Sequence, residues 1–144
     1  MSNPIGNTFI YNFIILFIVI VFGFLAGTMS YYKAYKINNR IVHAIEKFEG
    51  YNSLAKAEID KVLGTFGYSV ENLSCVKERN NMTNVSLGEN YRYCIYISDT
   101  SISKGEYYRY GVLTYMNIDL PVVNRINIPV FTRTNQIYKF TNKM

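Results

Sequence analysis

The chain has 144 residues, which is enough for one modest folded domain beside a membrane-spanning segment. Its hydrophobic content of 49% and charged content of 17% exclude an intrinsically disordered chain. The formal charge of +5 comes from basic residues that are scattered apart from a small cluster at residues 33–40, so the composition argues against a nucleic-acid partner.

The first predicted element is a transmembrane helix over residues 9–29, FIYNFIILFIVIVFGFLAGTM, which contain no charged side chain. At about 1.5 Å per residue this run reaches roughly 31 Å, the thickness of a bilayer core. A cleaved secretory signal is the alternative, but its apolar region is normally shorter and its start is basic. Residues 1–8 contain no Lys or Arg. We therefore predict a short N-terminal segment, 1–8, followed by a retained single-pass anchor.

Within this run, Gly23 and Gly27 are four residues apart and therefore share one face of the helix. This spacing lets the backbones of two helices approach closely in lipid, so we predict that Gly23 and Gly27 pack against another membrane helix. The alternative is that glycine is simply common in membrane helices.

The helical pattern continues beyond the apolar run through residues 30–50 as an amphipathic segment. A stripe of apolar residues recurs at spacings of three and four: Ala34, Ile37, Ile41, Ile45 and Phe48. The opposite face is polar: Lys36, Arg40, His43 and Lys47. We predict one continuous helix from about Phe9 to Phe48, stopped at Gly50, whose outer half needs a partner surface.

Residues 51–144 predict a small α+β domain that supplies this surface. Ser53 is the predicted cap of a short helix, LAKAEIDKVL, that ends at Gly64. Residues 71–90 are polar and lack periodicity, which predicts a surface loop.

Alternating segments after this loop predict an antiparallel sheet of three to five strands. The strand segments are 91–98, 106–118, 119–123, 126–132 and 136–140. Residues 99–105, DTSISKG, are predicted to break the first strand from the second, and a turn is predicted at residues 124–125. Pro121 and Pro129 cannot donate to a ladder, which places the hairpin formed by 119–123 and 126–132 at the sheet edge. So thin a sheet needs one face covered, and the amphipathic stripe fits that face.

Two cysteines, Cys75 and Cys94, predict a disulfide that links the polar loop to the first strand. Two unrelated buried thiols are the alternative. A disulfide favours an oxidising, extracytoplasmic location for the C-terminal domain. Lys33, Lys36 and Arg40 directly after the anchor favour the cytoplasm by the positive-inside rule. We follow the cysteine pair, because the basic residues also form the wet face of the helix and reach either headgroup layer.

No constellation in the sequence predicts catalysis or a cofactor. His43 is the only histidine and lies on the polar helix face, where it is solvated. No His, Cys and carboxylate set has metal-ligand spacing, and no glycine-rich phosphate loop is present. We expect no enzyme, no metal, no cofactor and no small-molecule substrate.

The layout resembles that of type IV pilin-like proteins, and the closing segment YMNIDLPVVNRINIPVFTRTNQIYKF resembles the end of the minor-pilin-like proteins of bacterial tight-adherence systems. The processing motif departs from that family. Gly6 stands where a cut would follow, but Tyr11 occupies the usual Glu position and no basic leader precedes it. The resemblance implies an uncleaved minor pilin or envelope-assembly component, whose apolar helix packs beside other membrane or pilin-like subunits while its sheet domain contacts assembly partners.

Two other classes stay open. One is a membrane-anchored extracytoplasmic binding or sensor module with an exposed aromatic surface, formed by Tyr93, Tyr107, Tyr108 and Tyr110. The other is a small accessory subunit of a membrane complex that faces the cytoplasm.

Overall fold

The computed structural model describes residues 4–68, 73–86, 92–102, 105–118 and 126–138; the side chains of 99–106 and 118 lie outside this description. The helices are α1 (Pro4–Lys47) and α2 (Ser53–Phe66). The strands are β1 (Glu78–Arg79), β2 (Met82–Asn84), β3 (Cys94–Ile102), β4 (Gly105–Ile118), β5 (Ile126–Arg133) and β6 (Ile137–Tyr138). The predicted α+β class is confirmed: a long N-terminal helix packs on a small antiparallel sheet.

Helix α1 runs without interruption through the predicted bilayer boundary. It begins at Pro4, five residues before the predicted start, and proline is well suited to a first helical turn because it has no amide hydrogen to leave unpaired. It ends at Lys47 in a Schellman motif: Gly50 N donates to Ile45 O at 2.9 Å and Glu49 N donates to Glu46 O at 3.2 Å. The left-handed residue is Glu49, with φ of 54°, so the stop lies one residue before the predicted Gly50.

Helix α2 is longer than predicted at both ends. Its cap is Asn52, whose side-chain oxygen accepts from Ala55 N at 2.9 Å, whereas Ser53 is the first helical residue. Its C-cap is Gly67, with φ of 59°, and the predicted terminator Gly64 lies inside the helix. The observed N-cap lies one residue before the predicted serine and is an asparagine, and the observed C-cap is a glycine three residues after the predicted one.

The sheet has the order β1-β2-β3-β4-β5, with β6 paired to β4, and every pairing is antiparallel. Strand β4 is therefore central: β3 pairs along one side, and β5 followed by β6 pairs along the other. Thr134 joins β5 to β6 at their interruption, because its amide donates to Tyr110 O at 2.8 Å and its Oγ1 accepts from Tyr110 N at 2.9 Å. Pro129 lies in the edge strand β5, as predicted.

Two strand predictions were wrong. The segment predicted to break the first strand continues it, since residues 99–102 pair with 105–108 in the β3–β4 hairpin. The predicted polar loop contains the β1–β2 hairpin, whose two turn residues Asn80 and Asn81 have φ of 51° and 59°. Positive φ at both central residues is the type I′ geometry that suits the twist of a two-residue hairpin. Pro121 and the predicted turn at residues 124–125 lie outside the described residues.

Both faces of the sheet carry buried apolar residues. The face toward α1 joins Val112, Ile95 and Tyr93 with the helix stripe and with Ile59 and Leu63 of α2. The opposite face forms a smaller cluster around the disulfide: Met82, Cys94, Tyr96 and Leu113, with Cys75, Tyr115 and Phe131 packed against them. The sheet is therefore a middle layer between α1 and the disulfide-linked segment.

Candidate functional site

The N-terminal half of α1 presents apolar side chains on all sides. An 18-residue segment of this helix has a mean hydropathy of 2.7, and none of its residues is buried within the molecule. A core helix of a soluble domain can be equally long and apolar, but it is mostly buried. The helix is thus long and apolar enough to span a membrane, which fits single-pass anchoring.

Gly23 and Gly27 lie on the same stripe of α1 as the residues that face the sheet. At about 100° per residue, Gly27 and Ala34 differ by roughly 20° around the helix, and Gly23 and Ala34 differ by the same amount. A Cβ built on Gly23 or Gly27 meets no described atom within 4 Å, so the backbone is open to a neighbour. Gly27 and Ser30 are only half-exposed, whereas the other residues of 21–33 are exposed.

The outer half of α1 buries its predicted apolar stripe against the sheet. Ala34 is 4% exposed, Ile37 1%, and Ile41 and Ile45 are fully buried. Phe48 differs from expectation: it lies one residue beyond the helix end, is half-buried, and has Lys47 Nζ 5.1 Å from its ring centroid. The helix ends too early for Phe48 to continue the stripe.

Asn38 is a polar residue of this contact that the sequence interpretation missed. It is fully buried, and its Nδ2 lies within hydrogen-bonding distance of three acceptors on β4 and β5: Val112 O at 3.1 Å, Thr114 Oγ1 at 3.0 Å and Val130 O at 3.0 Å. Its Oδ1 has no partner among the described residues. The available signal was its position, four residues after Ala34 and three before Ile41, where a wet-face residue does not fit.

The face of α1 that points away from the sheet forms an open groove of about 570 Å³. Tyr32, Tyr35, Lys36, Asn39, Arg40 and His43 line it, with Glu46 at the far end. His43 is solvated as predicted, with a side chain 79% exposed and Nδ1 3.9 Å from Glu46 Oε2. Glu46 Oε1 in turn accepts from Asn135 N at 2.8 Å, which ties the end of α1 to the segment between β5 and β6.

Cys75 and Cys94 form the predicted disulfide, with Cα atoms 5.8 Å apart. Cys94 is fully buried in the smaller cluster, on the sheet face away from α1. The bond therefore holds the segment before β1 against the outer face of the sheet, and neither of the chain's two cysteines is a free thiol.

The tyrosines proposed as a surface divide between core and exterior. Tyr93 is 7% exposed and packs in the larger cluster; burial and its hydrogen bond with Tyr51 raise its pKa. Burial also raises the pKa of Tyr68 to about 12, while its hydroxyl accepts from Tyr115 N at 3.0 Å. At the exterior, the Tyr107 and Tyr138 rings lie 4.3 Å apart and their hydroxyls 3.0 Å apart.

No cluster of three His, Cys, Asp or Glu side chains that could hold a metal occurs among the described residues. Comparison of the chain with protein-family models, with curated proteins and with solved structures gave no match.

Proposed function

We propose that this chain is a single-pass membrane protein that acts as an assembly component of the cell envelope, in the manner of a minor pilin, through protein–protein contacts. Its apolar half packs beside membrane helices of other subunits, and its C-terminal domain is extracytoplasmic. It performs no catalysis in this role. The proposed function depends on the position of the sheet domain relative to the membrane and on the rigidity of α1, which holds it there.

One observation carries the proposal: a single 44-residue helix is exposed and apolar in its first half and forms the core of the folded domain in its second half. A flexible tether would suffice to keep a binding module at a membrane. A continuous helix instead sets the orientation of the sheet domain relative to the span, because rotation of one half rotates the other. An assembly component needs such a defined orientation.

The layout and the disulfide add support. The predicted resemblance to pilin-like proteins depends on a long helix half in lipid and half on an antiparallel sheet. It is supported by the exposed apolar first half of α1 and by the packing of its second half on β4 and β5. The Cys75–Cys94 bond suits an oxidising compartment, which favours the extracytoplasmic side.

The packing part is tested with Gly23→Ile and Gly27→Ile together in the full chain. A photo-crosslinking residue at Ser30, which adjoins the glycine face, reports the neighbour in intact membranes. We expect wild type to give a cross-link to a second membrane subunit and the double variant to lose about nine-tenths of it, because branched side chains keep helix backbones apart.

The matched control places the same residue type on the opposite face, as Val21→Ile with Leu25→Ile, and should keep the cross-link. Equal yields from the two double variants would refute packing through the glycines. Cross-links to lipid alone in wild type would refute the assembly role.

The topology part is tested with alkaline phosphatase fused after Met144, since this enzyme is active only outside the cytoplasm. High activity in cells, together with a Cys75–Cys94 bond that resists alkylation until reductant is added, is the expected result. An inactive fusion and freely alkylated thiols would place the domain in the cytoplasm.

A further inference from the structure

The groove on α1 lies immediately outside the apolar span. Met29 closes the run that fits the bilayer core, and the next two turns bring Tyr31, Tyr32 and Tyr35, all substantially exposed. Tyrosines are enriched where hydrocarbon meets water, because their rings are apolar and their hydroxyls are polar. The lipid end of the groove is therefore at the level of the headgroups.

The membrane end of the groove carries an excess of positive charge, because the carboxylate of Glu46 lies at the far end. Lys33, Lys36 and Arg40 follow the span, and the sequence contains no Asp or Glu before Glu46. Within the described part of the chain the ion pair on this helix joins His43 and Glu46, and no carboxylate oxygen lies within 4.0 Å of the three cations. A ligand at the membrane end of this groove is consequently anionic.

The Lys36 side chain extends toward the N-terminal end of α1, which is the lipid side of the proposed anchoring. Cα–Cβ bonds in an α-helix tilt toward its N-terminus, which here is the lipid side. Lys36 shows this direction, since its Nζ lies 5.9 Å from the ring centroid of Tyr32, one turn closer to the bilayer, and 5.4 Å from that of Phe66.

Distances along the helix bring this ammonium within reach of phosphate. The Cα of Lys36 is seven residues past Met29, about 10 Å along the axis, and a side chain that reaches back one turn recovers about 5 Å of it. The headgroup layer is roughly 5–7 Å thick on each side of the hydrocarbon. Lys36 Nζ then lies within this layer, and Arg40 approaches it from one turn farther out.

We propose that the groove binds the headgroup of an anionic phospholipid, with Lys36 and Arg40 on the phosphate and the hydroxyl of Tyr32 and the amide of Asn39 as further donors. The proposal rests on the membrane anchoring proposed above and adds a lipid class to it. Bound headgroups would hold α1 at a fixed depth and a fixed rotation in the bilayer.

The test measures binding of short-chain phosphatidylglycerol and phosphatidylcholine to the full chain in neutral detergent micelles, by native mass spectrometry. We expect a clear preference for phosphatidylglycerol. Because each basic residue near an anionic headgroup layer contributes roughly a fivefold gain in binding, the pair K36Q/R40Q should weaken phosphatidylglycerol binding by about 25-fold.

The matched control is K56Q/K61Q, which removes the same charge from exposed positions of α2 that do not line the groove. It should bind phosphatidylglycerol as wild type does. Equal weakening by both pairs would reduce the effect to net charge and overturn the proposal. Displacement of the lipid by an equal concentration of inorganic phosphate would also overturn it.

A separate measurement distinguishes this proposal from the anchoring on which it rests. Flotation of the full chain with vesicles of pure phosphatidylcholine reports insertion of the apolar half and needs no anionic lipid. Failure to float would refute the anchoring. Flotation without a preference for phosphatidylglycerol would refute the headgroup site alone.

Discussion

Asn38 ties the outer half of α1 to two strands at once. Its amide nitrogen lies 3.0–3.1 Å from the carbonyls of Val112 on β4 and Val130 on β5 and from Thr114 Oγ1. Apolar neighbours along the stripe tolerate small sliding of the helix, whereas hydrogen bonds to fixed acceptors do not. Asn38 therefore sets the register of the helix on the sheet.

We predict that Asn38→Ala lowers the free energy of unfolding by about 3 kcal/mol, because it removes buried hydrogen bonds to two strands and opens a small cavity. Denaturant titration of the full chain in micelles measures this. Asn39→Ala is the matched control: the neighbouring asparagine is exposed in the groove and should change stability by less than about 0.5 kcal/mol. Equal effects would contradict a register role for Asn38.

Alkaline pH should unfold the domain through its buried tyrosines. The pKa of Tyr68 is raised by burial from 10.0 to about 12, so the folded state holds the phenolic proton more tightly than the unfolded state. The stability that Tyr68 contributes is fully present below pH 10, where the phenol is protonated in both the folded and the unfolded state. This contribution is lost as the pH rises from 10 through 12. Burial of Tyr93 and Tyr96 raises the pKa of each and acts in the same direction.

Tyr68→Phe separates this contribution. It should lower stability at pH 8, because Tyr115 N loses its acceptor, yet flatten the decline between pH 10 and 12. Chemical unfolding at a series of pH values gives both quantities. An unchanged slope would show that Tyr68 does not couple to unfolding.

At the scale of elements, two glycines illustrate how position decides the effect of a methyl group. A Cβ on Gly111 of β4 would lie 2.6 Å from Phe131 Cζ and 3.1 Å from Met82 Sδ, whereas a Cβ on Gly64 of α2 meets nothing within 4 Å. Gly111 thus lets the Phe131 ring of the edge strand lie over the central strand, and Gly64 has no such role.

We predict opposite signs for the two alanine variants. Gly111→Ala should lower the free energy of unfolding by about 1–3 kcal/mol, because Phe131 must move and the smaller cluster loosens. Gly64→Ala should raise it by about 1 kcal/mol, because alanine is the better helix former. Thermal unfolding followed by circular dichroism measures both, and a stabilised Gly111→Ala would contradict the packing described for the outer face.

The elements that could be predicted from the sequence are those whose periodicity is long enough to read. The stripe from Ala34 to Ile45 covers three turns, and the predicted strand 106–118 lies within β4, which spans 14 residues. Strands β1 and β2 have two and three residues, too few to alternate, so the signal was the Asn80–Asn81 pair that suits a type I′ turn. Asn52 and Ser53 are both common N-cap residues, so the residue type does not tell which of the two caps α2. The backbone conformation decides it.

Polar residues account for the remaining errors. Residues 99–102 read as a break because Asp, Thr and Ser favour turns, but pairing along β4 outweighs that preference. Asn38 was missed because burial of an amide depends on three acceptors that come from residues 74 to 92 positions away. Of the candidate site, the apolar span, the stripe and the disulfide were readable, whereas the groove needed the side-chain directions.

At the scale of the whole molecule, continuity of α1 predicts a phase dependence that no flexible linker would show. Insertion of one alanine after Tyr31 rotates the apolar half by about 100° relative to the sheet domain, whereas insertion of four rotates it by roughly 40° and adds about 6 Å. If a partner contacts both halves, we expect the single insertion to abolish the cross-link from Ser30 and the fourfold insertion to retain most of it.

Both insertions lie before Ala34, where the domain core begins, so the Cys75–Cys94 bond should form normally and serves as the folding control. Equal loss from both insertions would show that spacing matters more than phase. Retention in both would show that partners contact only one half.

The shared stripe of Gly27 and Ala34 restricts self-association. Two copies related by a two-fold axis along the membrane normal, and joined through their glycines, would each direct a sheet toward that same axis. Both sheet domains would then have to fit between the outer halves of the two helices. Helices at a glycine contact lie closer together than the 8–10 Å of ordinary helix packing, which leaves no room for them. Homodimerisation through the glycine face is thereby disfavoured. This face is left for a different membrane helix whose extramembrane part does not occupy the position of the sheet domain.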